Sequence, residues 1–508
     1  MQSNKIKRIL ISFFLIFLVI FTRFYSLDWG NGYFFNPDEN NMAIAVSKMT
    51  LSDLNPHFFA YGQFPLFLAF FTAPNHDFST IILVLRFWSA MFSSLSILFF
   101  YLIAKNIFKS KKISYIFALL LIFTPGLIQS AHFGTTESLL IFVFSANFFL
   151  SLKYYQTEKK PYFLFSIFIS AIGLGSKITA IFFIMPFYLC LLLIFLKNKK
   201  IANFIFSTFI FTLLLSFLSL LFSPFNIIKF SDFKSTMNYE TSVAVGTSKV
   251  FYTRQFENST PYIFQFQKIF PYANGVFIFF FSFIGFIIFL KNKIKKEFLL
   301  ILIPSIIYFI YAGQLFVKWS RFMSPLFFIG PFLCLFVFKK IQNIFLIIFL
   351  TMVLITPGVY FFQKYFSPDT RIIATNWSNS NIPNNSFILS EGGNVVDIPL
   401  FSNDLDIKVE NFDFYQLDSD LTLSEKLSQN LKSADYIFVP SRRIFKNQNN
   451  DNFPLSQKYY QNLFSYNSGF KEVIIINNQK DLFLNSENAE ETWSVFDNPT
   501  IRIYKRNI

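Results

Sequence analysis

The chain has 508 residues, 53% of them hydrophobic and only 14% charged, with a mean hydropathy of +0.46. Soluble globular domains carry about 25% charged residues, so these values exclude a purely soluble fold and point to a polytopic membrane protein. The net charge of +15 is uneven: residues 363–508 hold 14 basic and 18 acidic side chains, the remainder 30 and 11, which speaks for cytoplasmic loops rather than a nucleic-acid surface.

Eleven apolar segments are expected to span the membrane, near residues 6–24, 79–104, 113–131, 138–152, 161–175, 178–196, 201–223, 272–290, 298–316, 322–338 and 341–362. The first has basic flanks, as a signal peptide does. No small-residue cleavage site follows "FTRFYSLDWG", so it is read as a retained helix. Basic clusters fall in alternate loops: Lys5/Lys7/Arg8, Lys105/Lys109/Lys111/Lys112, Lys153/Lys159/Lys160, Lys197/Lys199/Lys200, Lys291/Lys293/Lys295/Lys296 and Lys339/Lys340. By the positive-inside rule the N-terminus is cytoplasmic, and loops 25–78 and 224–271 and the tail 363–508 face outward. Cys190 and Cys334 lie inside apolar runs; no disulfide is expected, and they do not identify a redox compartment. The tail alternates short β-like runs ("SFILSEGG", "DYIFVPS", "KEVIIIN", "IRIYKR") with helical stretches, the pattern of a small α/β domain. The expected fold class is an all-α polytopic membrane domain over 1–362 with a C-terminal extracytoplasmic α/β domain over 363–508.

Within the first outer loop, "NPDENNMAIAVSKM" reads as a helix start. Asn36 suits the cap, Pro37 the first helical position, and Asp38 and Glu39 the first turn against the positive helix end. The pair serves either as a helix start or as the centre of a catalyst. Other ionisable residues gather at the outer ends of the spans, where they are costly and usually functional: Arg86, His132, Glu137, Lys177, Lys318 and Arg321. Plainer readings exist for several of them. Arg86 could snorkel to headgroups, Lys318 and Arg321 could anchor at the interface, and His132 fits a hydrogen-bonded core position. With only His57, His76 and His132 in the chain and no ligand pair at helical spacing, a protein-built zinc site finds little support. No cofactor is expected to be required, a divalent metal being the alternative.

Taken in order, the acidic pair, "PHFFAYGQFPLFL", "HFGTTESLLIF", "GLGSKITAIFFIMP", "NYETSVAVGTSKVFYTRQFENSTPYIFQ" and "KWSRFMSPL" resemble the GT-C glycosyltransferases. The likeness is to the bacterial relatives of dolichyl-phosphate-mannose protein mannosyltransferases and of the aminoarabinose transferase. It covers roughly residues 1–360, and it implies a GT-C fold and transfer of a sugar from a polyprenyl-phosphate carrier on the outer face. The family's catalytic aspartate maps onto Asp38 and its acidic neighbour onto Glu39. Arg86, Lys177, Arg254 and Arg321 match basic residues that hold the carrier phosphate. Lys318, Glu137, His57, Tyr61 and Gln63 complete the candidate substrate contacts. Glu137 stands where relatives often carry Asp, a departure that keeps the charge. No Trp-Trp-Asp motif occurs, which argues against the oligosaccharyltransferase branch.

The expected partners are a polyprenyl-phosphate sugar, a protein, lipid or glycan acceptor, and membrane lipids, with no nucleic acid. The leading function is a multi-pass hexosyltransferase of the cell membrane, inverting if one displacement occurs. The alternatives are a lipid-linked-sugar flippase and a non-catalytic envelope receptor or assembly protein. Polar residues at the outer ends, rather than at the midplane of repeats, disfavour the flippase.

Overall fold

An apolar run in lipid has no water to satisfy its backbone, so it closes its own hydrogen bonds as a helix. The computed structural model of the protein shows this throughout the first two-thirds of the chain. It describes residues 2–292, 295–392, 397–400, 406–449, 451–478 and 482–507. The side chains of Lys5, Lys7 and Arg8, and all of Lys293, lie outside the described residues.

Seven helices have the length and apolarity of a span: Phe78–Phe108, Glu137–Thr157, Ile178–Asn198, Ile201–Phe222, Lys296–Gln314, Ser320–Phe338 and Ile344–Phe366. Two helix pairs qualify only jointly, Lys111–Ile122 with Pro125–His132, bent by 57°, and Ile263–Ala273 with Val276–Leu290, bent by 117°. Ile9–Phe24 and Lys160–Leu174 are shorter apolar helices. Helices thus occupy every expected segment. Among the described residues seven of them, or nine counting the bent pairs, meet the criteria for a span.

The first bend has a local cause. Pro125 lacks the N–H that a continuous helix would donate to the Leu121 carbonyl. Arg23, fully buried on the first helix, supplies donors instead, from Nη2 to Leu121 O at 3.1 Å and from Nη1 to Ile122 O at 2.9 Å. A cation in the apolar interior is thereby spent on holding a helix break open.

The chain divides into two units, one of residues 1–27, 38–245 and 261–362, the other of 28–37, 246–260 and 363–508. The first is the helical membrane unit. In the second, β1 (Phe387–Glu391), β2 (Lys408–Phe412), β3 (Tyr436–Val439), β4 (Phe470–Ile476) and β5 (Ile501–Arg506) form one sheet in the order β2-β1-β3-β5-β4. β1 pairs in parallel with β2 and β3, while β5 runs antiparallel to β3 and β4.

Because side chains alternate across a strand, β1 and β3 feed two cores. Phe387, Leu389, Ile437 and Val439 pack with Leu427, Tyr459, Tyr460 and Leu463 of the helices Leu421–Ser433 and Pro454–Phe464. Ile388, Tyr436 and Phe438 pack on the opposite face with Ala374 of the helix Thr370–Asn381. Strands covered on both faces explain the continuous apolar runs of the tail.

Candidate active site

Successive residues on a helix point about 100° apart, so Asp38 and Glu39, adjacent in the helix Pro37–Ser47, must face different surroundings. Glu39 turns inward. Arg86 donates from Nε to both of its carboxylate oxygens, at 3.1 and 3.2 Å, and from Nη2 to Oε2 at 2.7 Å. The backbone N–H of Gly134 adds a bond to Oε1 at 2.6 Å. A side chain at Gly134 would press on Leu85 Cβ at 2.7 Å, so only glycine brings that N–H so close. Neither Arg86 nor Glu39 reaches solvent.

The resemblance assigns Arg86 to the carrier phosphate, and the structure records its guanidinium engaged within the protein. Its remaining nitrogen, Nη1, donates to Leu27 O at 2.7 Å, so the guanidinium fastens one helix to another instead of lining an open phosphate site. Charge-assisted, forked bonds of this kind are the strong ones, and they fix the helix that carries Asp38.

Asp38 turns outward to Arg321, whose Nη1 donates to its Oδ2; the two side chains keep 22% and 24% of their surface exposed. Arg321 lies at 4.4 Å over the Trp319 ring and 5.9 Å from Phe322. Lys177 joins from the loop after Lys160–Leu174, 3.4 Å from Glu137 and 5.0 Å from the Tyr61 ring. Tyr61 is buried, and burial pushes its phenol up, reinforced by Asp38 and opposed by Arg321. Five of the expected site residues, Asp38, Tyr61, Glu137, Lys177 and Arg321, therefore share one cluster.

The meeting of Tyr61 and Lys177 depends on backbone contact. Gly62 N donates to Ser176 O at 2.8 Å and Phe64 N to Gly175 O at 2.9 Å. A Cβ on Gly62 would stand 2.2 Å from Gly175 O, so glycine alone lets the segments cross there. Gln63 locks this crossing. Its Nε2 donates to Asn226 Oδ1 at 2.7 Å, its Oε1 accepts from Phe225 N at 3.2 Å, and the side chain is fully buried. Gln63, a candidate substrate contact by its motif, is thus engaged here as a fastener between chain segments.

Three other expected residues have partners of their own. His57 is exposed on a loop, 3.9 Å from Asp53. Lys318 is buried and donates to Phe316 O at 2.9 Å, with burial pushing its pKa down. Arg254 belongs to the second unit, where Nη1 donates to Tyr415 O at 3.1 Å and the guanidinium covers the Phe453 ring at 4.4 Å. His132 is a core histidine, its ring nitrogens 2.8 Å from Ile128 O and 3.0 Å from Tyr25 O. Among the described residues, no three His, Cys, Asp or Glu side chains gather in a metal-binding arrangement.

Sequence reading missed Glu240, on the helix Phe230–Val245. Although the residue as a whole is exposed, burial raises the pKa of its carboxyl, with Arg321 and Lys177 opposing and Asp38 adding. The available signal was weak: Glu240 is the acid of "NYETS", in an outer loop where an acidic side chain is ordinary.

Residues 64–225 match the family model of dolichyl-phosphate-mannose-protein mannosyltransferase. No curated protein sequence matches the chain significantly. Among solved structures, the oligosaccharyltransferase of Archaeoglobus fulgidus, in complex with zinc and sulfate, superposes with a TM-score of 0.51 at 14% identity. That likeness covers 88% of this chain and 71% of the other. ArnT from Cupriavidus metallidurans, bound to undecaprenyl phosphate, superposes with a TM-score of 0.50 at 11% identity, over 85% of this chain and 92% of the other. At these identities the likeness is one of fold, and the fold of this chain is theirs.

Proposed function

From a chain with the GT-C fold and a mannosyltransferase-family match over 64–225, we propose an integral membrane glycosyltransferase. It moves a sugar, a hexose such as mannose, from a polyprenyl-phosphate carrier to an acceptor hydroxyl on the outer face of the membrane. In this reading the N-terminus is cytoplasmic and the C-terminal unit lies outside.

The carrying observation is the partly exposed Asp38 carboxylate set among Arg321, Lys177 and Tyr61. Transfer needs a base for the acceptor proton and positive charge for the departing phosphate. Asp38 takes the proton as the acceptor oxygen bonds to the anomeric carbon. The bond from that carbon to the phosphate oxygen breaks, and its electron pair leaves with the polyprenyl phosphate. Arg321 and Lys177 stabilise the charge developing there. A single displacement of this kind inverts the anomeric configuration. Glu39 and Arg86 hold the helix in place and touch no reacting atom.

The test uses purified protein in liposomes with a polyprenyl-phosphate sugar radiolabelled in the sugar. Label appearing on a hydroxyl acceptor supports the transferase. Label crossing the bilayer while still on its lipid identifies a flippase and overturns the reading, as does neither event.

A further inference from the structure

Two cations and three carboxylates face the cluster, and each cation has a carboxylate partner on another helix. Asp38 holds Arg321, Glu137 holds Lys177 at 3.4 Å, and Glu240 stands within electrostatic reach of Asp38, Arg321 and Lys177. The groups proposed to receive a phosphate are thus engaged, one of them by the group proposed as base. A carboxylate oxygen that accepts from a guanidinium offers that lone pair to no hydroxyl. An arriving phosphodiester must therefore compete with Asp38 for Arg321.

We infer that the Asp38–Arg321 pair is a latch that the donor opens, the phosphate taking over the Arg321 guanidinium and so releasing Asp38 to receive the acceptor proton. This rests on the proposed transferase reading.

Three observations support an exchange of partners. The pair is partly open to solvent, whereas Arg86–Glu39 is wholly enclosed. The guanidinium is held by its rings, 4.4 Å from Trp319 and 5.9 Å from Phe322, so it stays in place when the carboxylate leaves. Its Nε is buried without a hydrogen-bond partner among the described residues, which leaves the forked edge that binds phosphate bidentately incompletely used. An enzyme built this way binds donor before it can activate an acceptor, so an empty site does not deprotonate hydroxyls.

The latch makes Asp38 a competitor of the donor, and that fixes the sign of its test. Binding of a short-chain polyprenyl phosphate without sugar is measured by titration in detergent, on full-length wild type, Asp38→Asn and Arg321→Gln, each checked for an unchanged melting temperature. Removing the competing charge should tighten binding in Asp38→Asn by about 5- to 20-fold, the size of a charge-assisted hydrogen bond partly screened by solvent. Arg321→Gln should weaken it by about 10-fold or more. Should Asp38→Asn fail to fold, Asp38→Ser serves the same comparison. Equal or weaker binding in the Asp38 variant overturns the latch.

The same variants are then assayed with sugar-bearing donor. Lost transfer with unchanged affinity removes the latch but keeps Asp38 as base. Retained transfer with unchanged affinity removes both readings.

Discussion

Glu39 meets Arg86 with both carboxylate oxygens and neither side chain touches solvent, while one residue earlier Asp38 meets Arg321 and each keeps about a fifth of its surface open. Each pair joins a carboxylate of the same helix to an arginine from elsewhere in the chain. What differs is the cost of letting go. A fully buried carboxylate deprived of its arginine is left uncompensated in a low dielectric, a loss of several kcal/mol. A partly exposed one is repaid by water. Burial therefore divides one acidic pair into an enclosed ion pair and a partly exposed one, and the proposed chemistry uses the second.

The largest expected effect falls on the open pair. Asp38→Asn should lower transfer by about 10²- to 10⁴-fold, the usual contribution of a positioned base, with an unchanged melting temperature in detergent. Steady-state transfer and thermal unfolding check it together. Arg86→Ala should act through the fold. It leaves Glu39 buried and unpaired and should cost about 3–5 kcal/mol of stability, measured by unfolding in detergent. Replacing both partners by apolar residues should recover much of that loss, and failure to recover would mean that the pair does more than hold the helix.

Arg321→Lys keeps the charge but loses the planar fork. A fall of about 10- to 100-fold in kcat/KM for the donor is expected, read from donor titrations of the transfer rate.

A carboxyl bonded to a phenol extends the comparison. Glu391 in the second unit accepts from Tyr460 at 2.6 Å, and burial pushes its pKa from 4.5 up to about 8. The folded chain keeps this proton up to about pH 8 while the unfolded chain gives it up near pH 4.5, so stability should fall as pH rises through that window. Glu391→Gln should flatten the slope, seen as melting temperatures at pH 5.5 and 8.5 that lie closer together than in wild type. The smallest effect belongs to His57, whose contact with Asp53 at 3.9 Å is exposed on both sides. His57→Ala should alter stability by less than about 0.5 kcal/mol and leave transfer unchanged.

The apolar helices were legible in the sequence because apolar length is a one-dimensional property, though their bends and the number long enough to span were not. Pro125 marks the first break locally, but the donors that satisfy its freed carbonyls come from Arg23, about a hundred positions away. Much of the cluster was legible too, since charges at span ends are rare enough to stand out. Residue type, however, does not reveal which partner a charge has found. Arg86 and Gln63 carry the same groups that would bind a phosphate or a sugar, yet Glu39 and Asn226 occupy them. Arg254 sits in a segment that folds with the tail, a division that charge patterning does not encode. Glu240 escaped notice because an acid in a polar outer loop looks ordinary until the fold brings it near Asp38 and Arg321.

The central claim is that Asp38 does the chemistry and Glu39 holds the frame. Single-turnover transfer from a sugar-bearing polyprenyl phosphate, measured on the folded fraction of Asp38→Asn and Glu39→Gln side by side with their melting temperatures, tests it most directly. The account predicts a folded Asp38 variant whose transfer step is at least about 100-fold slower, and a Glu39 variant that melts early but transfers sugar while it remains folded. An Asp38 variant within a few-fold of wild type, or a stable Glu39 variant with no transfer, would contradict it.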